Sequence, residues 1–371
     1  MRIQIVDPPA YTPPYDRSLC AALARKGAEV ELITSRFAHG PVPPAEGYRV
    51  SEFFYRRSAV RDTEAPGRRA LKLAEHLGDM VRYRRDGAHA DVVHYQWLPV
   101  PALDGRLLPP TRPRVLTAHG VLREESWERR LARGLRSLLE RMDAIVTLSE
   151  HGARRLRDEV GIAPDRVRVI PHGAFDYLTR QTNEAPLPDE LAAADGPVIL
   201  CFGLIRPYKG VDVLLEAFRS VEGAELWIVG RLLGMSLDSL GELAARAPGR
   251  VRFVPRFVSD LELPAYFRRA DLVVLPHRDA EQSGVLYVAL AFGKPIVMSA
   301  VGGFGEVADH GAGRLVPAGD AEALAAALNE LLTDADARDR LSAAARKAAA
   351  GPYSWDTVAD RTLALYRELG G

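Results

Sequence analysis

The chain has 371 residues, long for one hydrophobic core and suited to two domains. Its 47% apolar and 26% charged residues are those of a soluble globular protein. The formal net charge is zero, no basic stripe with interleaved aromatics points to nucleic acid, and no apolar run approaches the ~20 residues that span a bilayer.

Charge is unevenly spread: residues 1–178 hold 29 Lys and Arg against 23 Asp and Glu, a surplus of six that the remainder cancels. A basic first half fits either a solvated arginine-rich face or peripheral contact with an anionic surface at the inner membrane face. Cys20 and Cys201 match no metal or disulfide spacing, and no signal peptide precedes the first strand, so a reducing cytoplasm is expected.

Residues 2–6 and 30–34 read as strands flanking a helix over 17–26, a βαβ opening. The loop between the first strand and the helix, residues 7–16, lacks the G-x-G-x-x-G of a dinucleotide site. Four prolines stiffen it, and Tyr11, Tyr15 and Asp16 offer flat faces and polar tips, so it is expected to wall an acceptor site. Residues 40–65 read as irregular and 67–85 as a basic helix. The strand at 91–94 delivers His94, Gln96 and Trp97 at its carboxyl end, where open α/β sheets bind ligands. Trp97 there either stacks on a sugar or plugs the core. The strand at 115–118 ends in His119-Gly120. A helix over 127–142 carries Arg129, Arg130, Arg133 and Arg136, and a strand at 167–170 ends in Pro171-His172-Gly173. Residues 175–196 read as a linker.

The second half opens with a strand at 198–202, then a loop with Gly203, Arg206 and Lys209 feeding a helix. Its two cations are three residues apart, but no P-loop is present, which disfavours a nucleotide triphosphatase. A strand at 272–275 is followed by a polar loop, 277–283, and a helix opening at Gly284. Free N–H groups at Gly284 and Val285, the hydroxyl of Ser283 and the positive helix end suit a phosphate. The Arg206–Lys209 loop would face this one if both strands share a parallel sheet. Asp334 and Asp336 resemble a metal pair only in isolation, since they lie at an interhelix turn where aspartate caps.

Residues 271–306 and 203–210 together resemble the donor-site region of the retaining GT-B glycosyltransferases of family 4, also called group 1. There a Glu-Gly-Phe-Gly-like loop precedes a helix ending in Gly-Lys-Pro, then Gly-Gly-x-x-Glu; here stand Gly293-Lys294-Pro295 and Gly302-Gly303-Phe304-Gly305-Glu306. The family's two spaced glutamates fall on Ala280 and Val288, with Glu281 and Gln282 beside the first and no substitute for the second, which usually holds the ribose. The family's arginine after the first glycine is Leu204 here, with Arg206 displaced by two positions.

The resemblance implies an α/β GT-B fold of two doubly wound Rossmann-like domains facing across a cleft. The expected boundaries are an acceptor-binding domain over 1–178, completed by a C-terminal helix over 355–370, and a donor-binding domain over 179–354. It further implies retaining transfer from a nucleotide diphosphate sugar, UDP- or GDP-linked, to the hydroxyl of a glycan, lipid-linked sugar or small metabolite, with no protein nucleophile. The residues themselves, Arg206 and Lys209 with no credible carboxylate pair in the cleft-facing loops, add the expectation that no metal is needed. His119 then stands beside the transferred sugar, Arg206 and Lys209 on the leaving diphosphate, and Glu281 or Gln282 on the sugar hydroxyls. The alternatives on this fold are an epimerase, a phosphorylase and a catalytically silent binding subunit.

Overall fold

Short apolar runs punctuated by glycine and proline become the strands of two parallel sheets. The computed structural model describes residues 1–37, 42–59, 67–87, 89–120 and 129–370. The chain divides into two units, Met1–Gly173 with Trp355–Gly371, and Ala174–Ser354.

The first unit begins with β1 (Arg2–Asp7), α1 (Pro13–Arg25), β2 (Glu29–Ser35) and β3 (Arg49–Phe54). It continues with α2 (Arg68–Arg82), β4 (Val92–Tyr95), α3 (Pro101–Leu107) and β5 (Arg114–Ala118). Then come α4 (Arg129–Leu139), β6 (Ala144–Thr147), α5 (Glu150–Asp158) and β7 (Val167–Val169). The strands lie in the order β3-β2-β1-β4-β5-β6-β7, all parallel. Strands such as β4 and β6 are buried along their whole length, which is why they read as continuous apolar runs. The order reverses between β1 and β4, and their carboxyl ends open the crevice where such sheets take ligands.

Two sequence expectations change here, and the start of a third element lies outside the described residues. The stretch expected to be irregular contains β3, whose half-exposed edge position lets Arg49, Ser51 and Glu52 break the apolar pattern. The arginine-rich helix starts at Arg129 among the described residues, and Trp127 lies outside them. The linker at 175–196 contains a 3₁₀ turn, Asp176–Arg180, whose Leu178 is buried.

The second unit runs through α6 (Asp189–Ala192), β8 (Val198–Phe202), α7 (Val211–Phe218), β9 (Glu225–Val229), α8 (Leu237–Ala244) and β10 (Val251–Val254). It goes on through α9 (Leu263–Arg269), β11 (Leu272–Leu275), α10 (Gly284–Ala291), β12 (Ile296–Ser299), α11 (Phe304–Ala308) and β13 (Arg314–Val316). Two helices close it, α12 (Ala321–Thr333) and α13 (Ala335–Ala350). The sheet order β10-β9-β8-β11-β12-β13, again all parallel, reverses between β8 and β11. Asp320 and Asp334 act as helix caps, accepting from the N–H groups of Ala323 at 2.9 Å and Ala337 at 2.8 Å.

The chain then returns to the first unit as α14 (Trp355–Glu368). Asp356 and Asp360 on its polar face pair with Arg25 at 2.7 Å and Lys26 at 2.8 Å at the end of α1. The Trp355 ring lies so close over Gly173 that a Cβ there would overlap it. Among the described residues no helix is long and apolar enough to cross a membrane.

Candidate active site

In the second unit the two loops singled out in the sequence leave adjacent strands, β8 and β11, at the point of reversal. They touch. Gly203 has left-handed backbone (φ 102°), and a Cβ there would stand 2.9 Å from Val285 Cγ2. Gly210 (φ 65°) packs under the Pro276 carbonyl, where any side chain would overlap the oxygen. The Arg278 N–H donates to the Tyr208 carbonyl at 2.8 Å, tying the two loops by their backbones.

Lys209 closes a 3₁₀ turn, Pro207–Lys209, that carries its ammonium back under the end of β8, and it is only 7% exposed. Arg206 precedes the turn in extended conformation, and its buried Nε has no partner. Ser283 occupies the N-cap of α10, yet its hydroxyl makes no capping bond and is buried without a partner. Two unsatisfied polar atoms in one loop pair mark a place built for something polar. Gly284 is exposed and Val285 half-buried at the helix start, with no acidic side chain in the first turn. Gln282 is held by the Tyr287 hydroxyl, which donates to its Oε1 at 2.9 Å, and the Glu281 carbonyl accepts from Gly303 at 3.1 Å. Val288 is buried within α10 and presents no polar group.

In the first unit, β1, β4 and β5 deliver their loops side by side. His119 follows β5; its Nε2–H donates to Gln96 Oε1 at 2.7 Å, and its ring stacks on Trp97 with centroids 5.4 Å apart. Burial, then His172 and His94, hold the His119 pKa well below its usual value, so the ring is neutral. Trp97 Nε1 donates to Thr12 Oγ1 at 3.0 Å, and Tyr11 meets the Trp97 ring edge-on at 5.5 Å while remaining exposed. Gln96 Nε2 is buried without a partner. His119, Gln96 and Trp97 therefore form one fixed group at the reversal of the first sheet.

Three other residues expected in the acceptor wall lie behind it. His94 is buried, with Nδ1 bonded to the Tyr366 hydroxyl at 2.5 Å and Nε2 to Thr117 Oγ1 at 2.7 Å, so both ring nitrogens are used inside the core. Tyr15 is wedged edge-on among His119, His172 and Trp355, at 4.6, 5.0 and 5.1 Å. Asp16 is buried beside Asp7, and burial with the neighbouring carboxylate raises its pKa well above the usual range. The sequence did not point to Thr12 as a positioning residue, since its partner Trp97 lies 85 residues away.

The buried histidines set a pH dependence of stability. Burial pushes His94 down to about 3 and His172 down to about 4, against about 6.5 unfolded. Above about pH 6.5 each is neutral in both states. Below it the unfolded chain takes up protons that the folded chain refuses, so stability falls as pH drops. Asp7, raised to about 6 by burial, gains its proton in the folded state first and opposes this fall between about pH 6 and 4. His94→Gln should flatten the decline by about 1.4 kcal/mol per pH unit in that window, as read by urea denaturation. Equal slopes in both proteins would show that His94 is not held neutral.

Comparison with known proteins matches this architecture. Residues 17–174 match the family model described as Glycosyltransferase Family 4, and residues 196–334 that described as Glycosyl transferases group 1. A D-inositol 3-phosphate glycosyltransferase of Nocardia farcinica is 30% identical over 376 residues, covering 93% of this chain and 81% of the relative. Another, from Kineococcus radiotolerans, is 29% identical over 398 residues, covering 95% and 89%. Among solved structures, a sucrose-phosphate synthase from Thermosynechococcus elongatus has a TM-score of 0.78 at 22% identity, covering 100% of this chain and 99% of that one. Anabaena HepE in complex with UDP-glucose has a TM-score of 0.73 at 20% identity, with both chains fully covered. The two doubly wound sheets, the glycine-lined loops at their reversals and these matches make the chain a member of the family 4, group 1 glycosyltransferases, with the GT-B fold.

Proposed function

We propose that this chain moves a sugar from a nucleotide diphosphate donor, UDP- or GDP-linked, to an acceptor hydroxyl with retention of configuration and without a metal ion. The observation that carries this reading is the meeting of the 203–210 and 277–285 loops at the reversal of the second sheet, with Arg206 Nε and Ser283 Oγ buried and unsatisfied. Breaking a glycosidic bond places negative charge on the departing diphosphate, so donors aimed there act where charge develops. Arg206, Lys209, the Ser283 hydroxyl and the N–H groups of Gly284 and Val285 are of the right kind. Gly284, exposed at the start of α10, lets a diphosphate approach the backbone closely.

Glu281 and Gln282, just before Ser283 in the same loop, take the sugar hydroxyls, with Gln282 braced by Tyr287. His119, neutral and fixed by Gln96 and Trp97, offers a hydrogen bond to the transferred sugar. Trp97 and the exposed Tyr11 supply the acceptor's apolar contacts, while Tyr15, Asp16 and His94 hold that wall from behind. The departing phosphate oxygen receives the acceptor's proton on the same face of the sugar, so no protein nucleophile is needed. Arg206 and Lys209 neutralise the charge that grows on the departing diphosphate.

Two measurements test this. Turnover should persist in excess EDTA, and the product's anomeric proton by NMR should keep the donor's configuration. Activity lost to chelator and restored by Mg²⁺ or Mn²⁺ would overturn the charge argument; an inverted product would overturn retention.

A further inference from the structure

The first unit holds a second cavity, of about 330 Å³, which the donor chemistry leaves unused. Tyr11, Tyr55, Ser58, Arg36, Arg68 and Lys72 are among the residues lining it. It lies past the carboxyl ends of β1, β2 and β3, against the first turns of α2. Among the described residues no carboxylate lines it, and neither Arg36 nor Lys72 has an ion-pair partner. Lys72 Nζ sits 4.8 Å from the Tyr55 ring centre and 5.5 Å from that of Tyr11. Arg68 is aimed by a bond from its Nε to the Ser58 carbonyl at 3.1 Å.

This charge arrangement is unfavourable as it stands. The first turn of α2 contains Arg68 and Arg69 and no acid, so cations crowd the positive end of a helix dipole. Lys72, one turn on, is half-buried, and burial and Arg68 lower its pKa. An anion in the cavity would relieve all three contacts at once.

The backbone around the cavity is also strained. Among the described residues, Ala10 (φ 51°) and Tyr55 (φ 55°) are the two non-glycine residues in left-handed backbone, and both line it. That conformation is uncommon for alanine and an outlier for a ring as bulky as tyrosine. The surrounding structure enforces it. The Tyr55 N–H donates to Asp79 Oδ2 at 2.7 Å, and its hydroxyl bonds His76 Nδ1 at 2.7 Å. His76 Nε2 in turn bonds Asp104 Oδ1 at 2.6 Å, and the other Asp104 oxygen accepts from the Val100 N–H at 2.8 Å. A buried Tyr–His–Asp chain thus fixes the ring under the Lys72 ammonium. Strain held in place this firmly points to a binding site.

We propose that this cavity binds a phosphate monoester carried by the acceptor, so that the acceptor is a small phosphorylated molecule. Three cations, with no carboxylate lining the cavity among the described residues, call for more than one negative charge, which a phosphate monoester carries at neutral pH and a carboxylate does not. The volume falls within the range of small-molecule sites. Arg36, Arg68 and Lys72 hold the phosphate, and Tyr55 and His76 act as positioning residues. The proposal rests on the reading that the first unit receives the acceptor.

The test is calorimetric titration of the full chain with inorganic phosphate in saturating UDP, so that the second unit's loops are already occupied. Wild type should bind, and Lys72→Gln and Arg68→Gln should each weaken phosphate roughly tenfold or more. Their UDP affinity should stay at the wild-type level, which also shows that they are folded. Unchanged phosphate affinity in both variants, or no heat from millimolar phosphate in wild type, would overturn the proposal. Failure of UDP itself to bind would instead strike the donor reading, and phosphate would then be titrated alone. In turnover, a phosphorylated alcohol should be preferred over its parent alcohol, and Lys72→Gln should remove that preference through KM. Sedimentation with phosphatidic acid vesicles in wild type but not Lys72→Gln would place the phosphate on a lipid and overturn the small-molecule assignment.

Discussion

Replacing Arg206 by alanine, or Lys209 by methionine, should lower kcat/KM about ten- to hundredfold. A charge-assisted hydrogen bond contributes roughly 1.5–3 kcal/mol, and each 1.4 kcal/mol is a factor of ten in rate. On the proposed mechanism both side chains serve a charge that grows as the diphosphate departs, so the loss should appear in kcat as well as in KM. The choice of methionine matters at Lys209: the residue is buried, and alanine would also empty the space its stem fills. Methionine keeps most of that volume and removes the charge. Melting temperatures should therefore stay near wild type while UDP affinity falls. Wild-type kinetics in both variants would take this loop out of the donor site. A loss of stability matching the loss of rate would make Lys209 a packing residue.

These loops were legible in the sequence because the signals are local. Each is a buried apolar run, a glycine and a few polar residues before a helix, and glycines at 203 and 210 are needed for backbone reasons visible within a few residues. The adjacency of β8 and β11 followed from expecting one parallel sheet with a reversal of strand order. The acceptor wall was less legible because its geometry depends on distant partners. His94 looks like a ligand residue at a strand end until Tyr366, 272 residues later, takes its Nδ1. Tyr15 looks like an exposed face until Trp355 arrives from the other end of the chain and covers it. A strand's alternation says which side chains share a face, but not which helix will pack there. The edge strand β3 escaped for a different reason: a half-exposed strand need not show an apolar pattern. Val288, at the position of the family's ribose-binding glutamate, is buried as its residue type demands, which separates the fold requirement at that site from the ligand requirement.

The turn after β12 should be highly sensitive to a single methyl group, because Gly302 there packs against the loop after β11. Gly302 has left-handed backbone (φ 52°), and a Cβ there would overlap the Ala280 carbonyl oxygen and stand 3.0 Å from that of Glu281. Neither oxygen can rotate away, since both belong to the backbone of the loop that leads to Ser283. The Glu281 carbonyl is further committed to the Gly303 N–H at 3.1 Å. Gly302→Ala should therefore cost about 3 kcal/mol or more, the sum of left-handed strain and a backbone overlap. That corresponds to roughly 6–12 °C in melting temperature for a unit of this size. Gly305→Ala is the matched control. It lies two residues into α11, its Cβ would meet nothing within 4 Å, and alanine favours the helix by about 0.5–1 kcal/mol. The two substitutions add the same atom to the same motif, three residues apart, and should move the melting temperature in opposite directions. Because the Gly302 overlap pushes on residues 280 and 281, UDP affinity should fall with it and remain unchanged in Gly305→Ala. Similar melting temperatures for both variants would mean that the 280–283 loop yields freely, and a loop that yields freely cannot hold Ser283 and the start of α10 aimed at a leaving group.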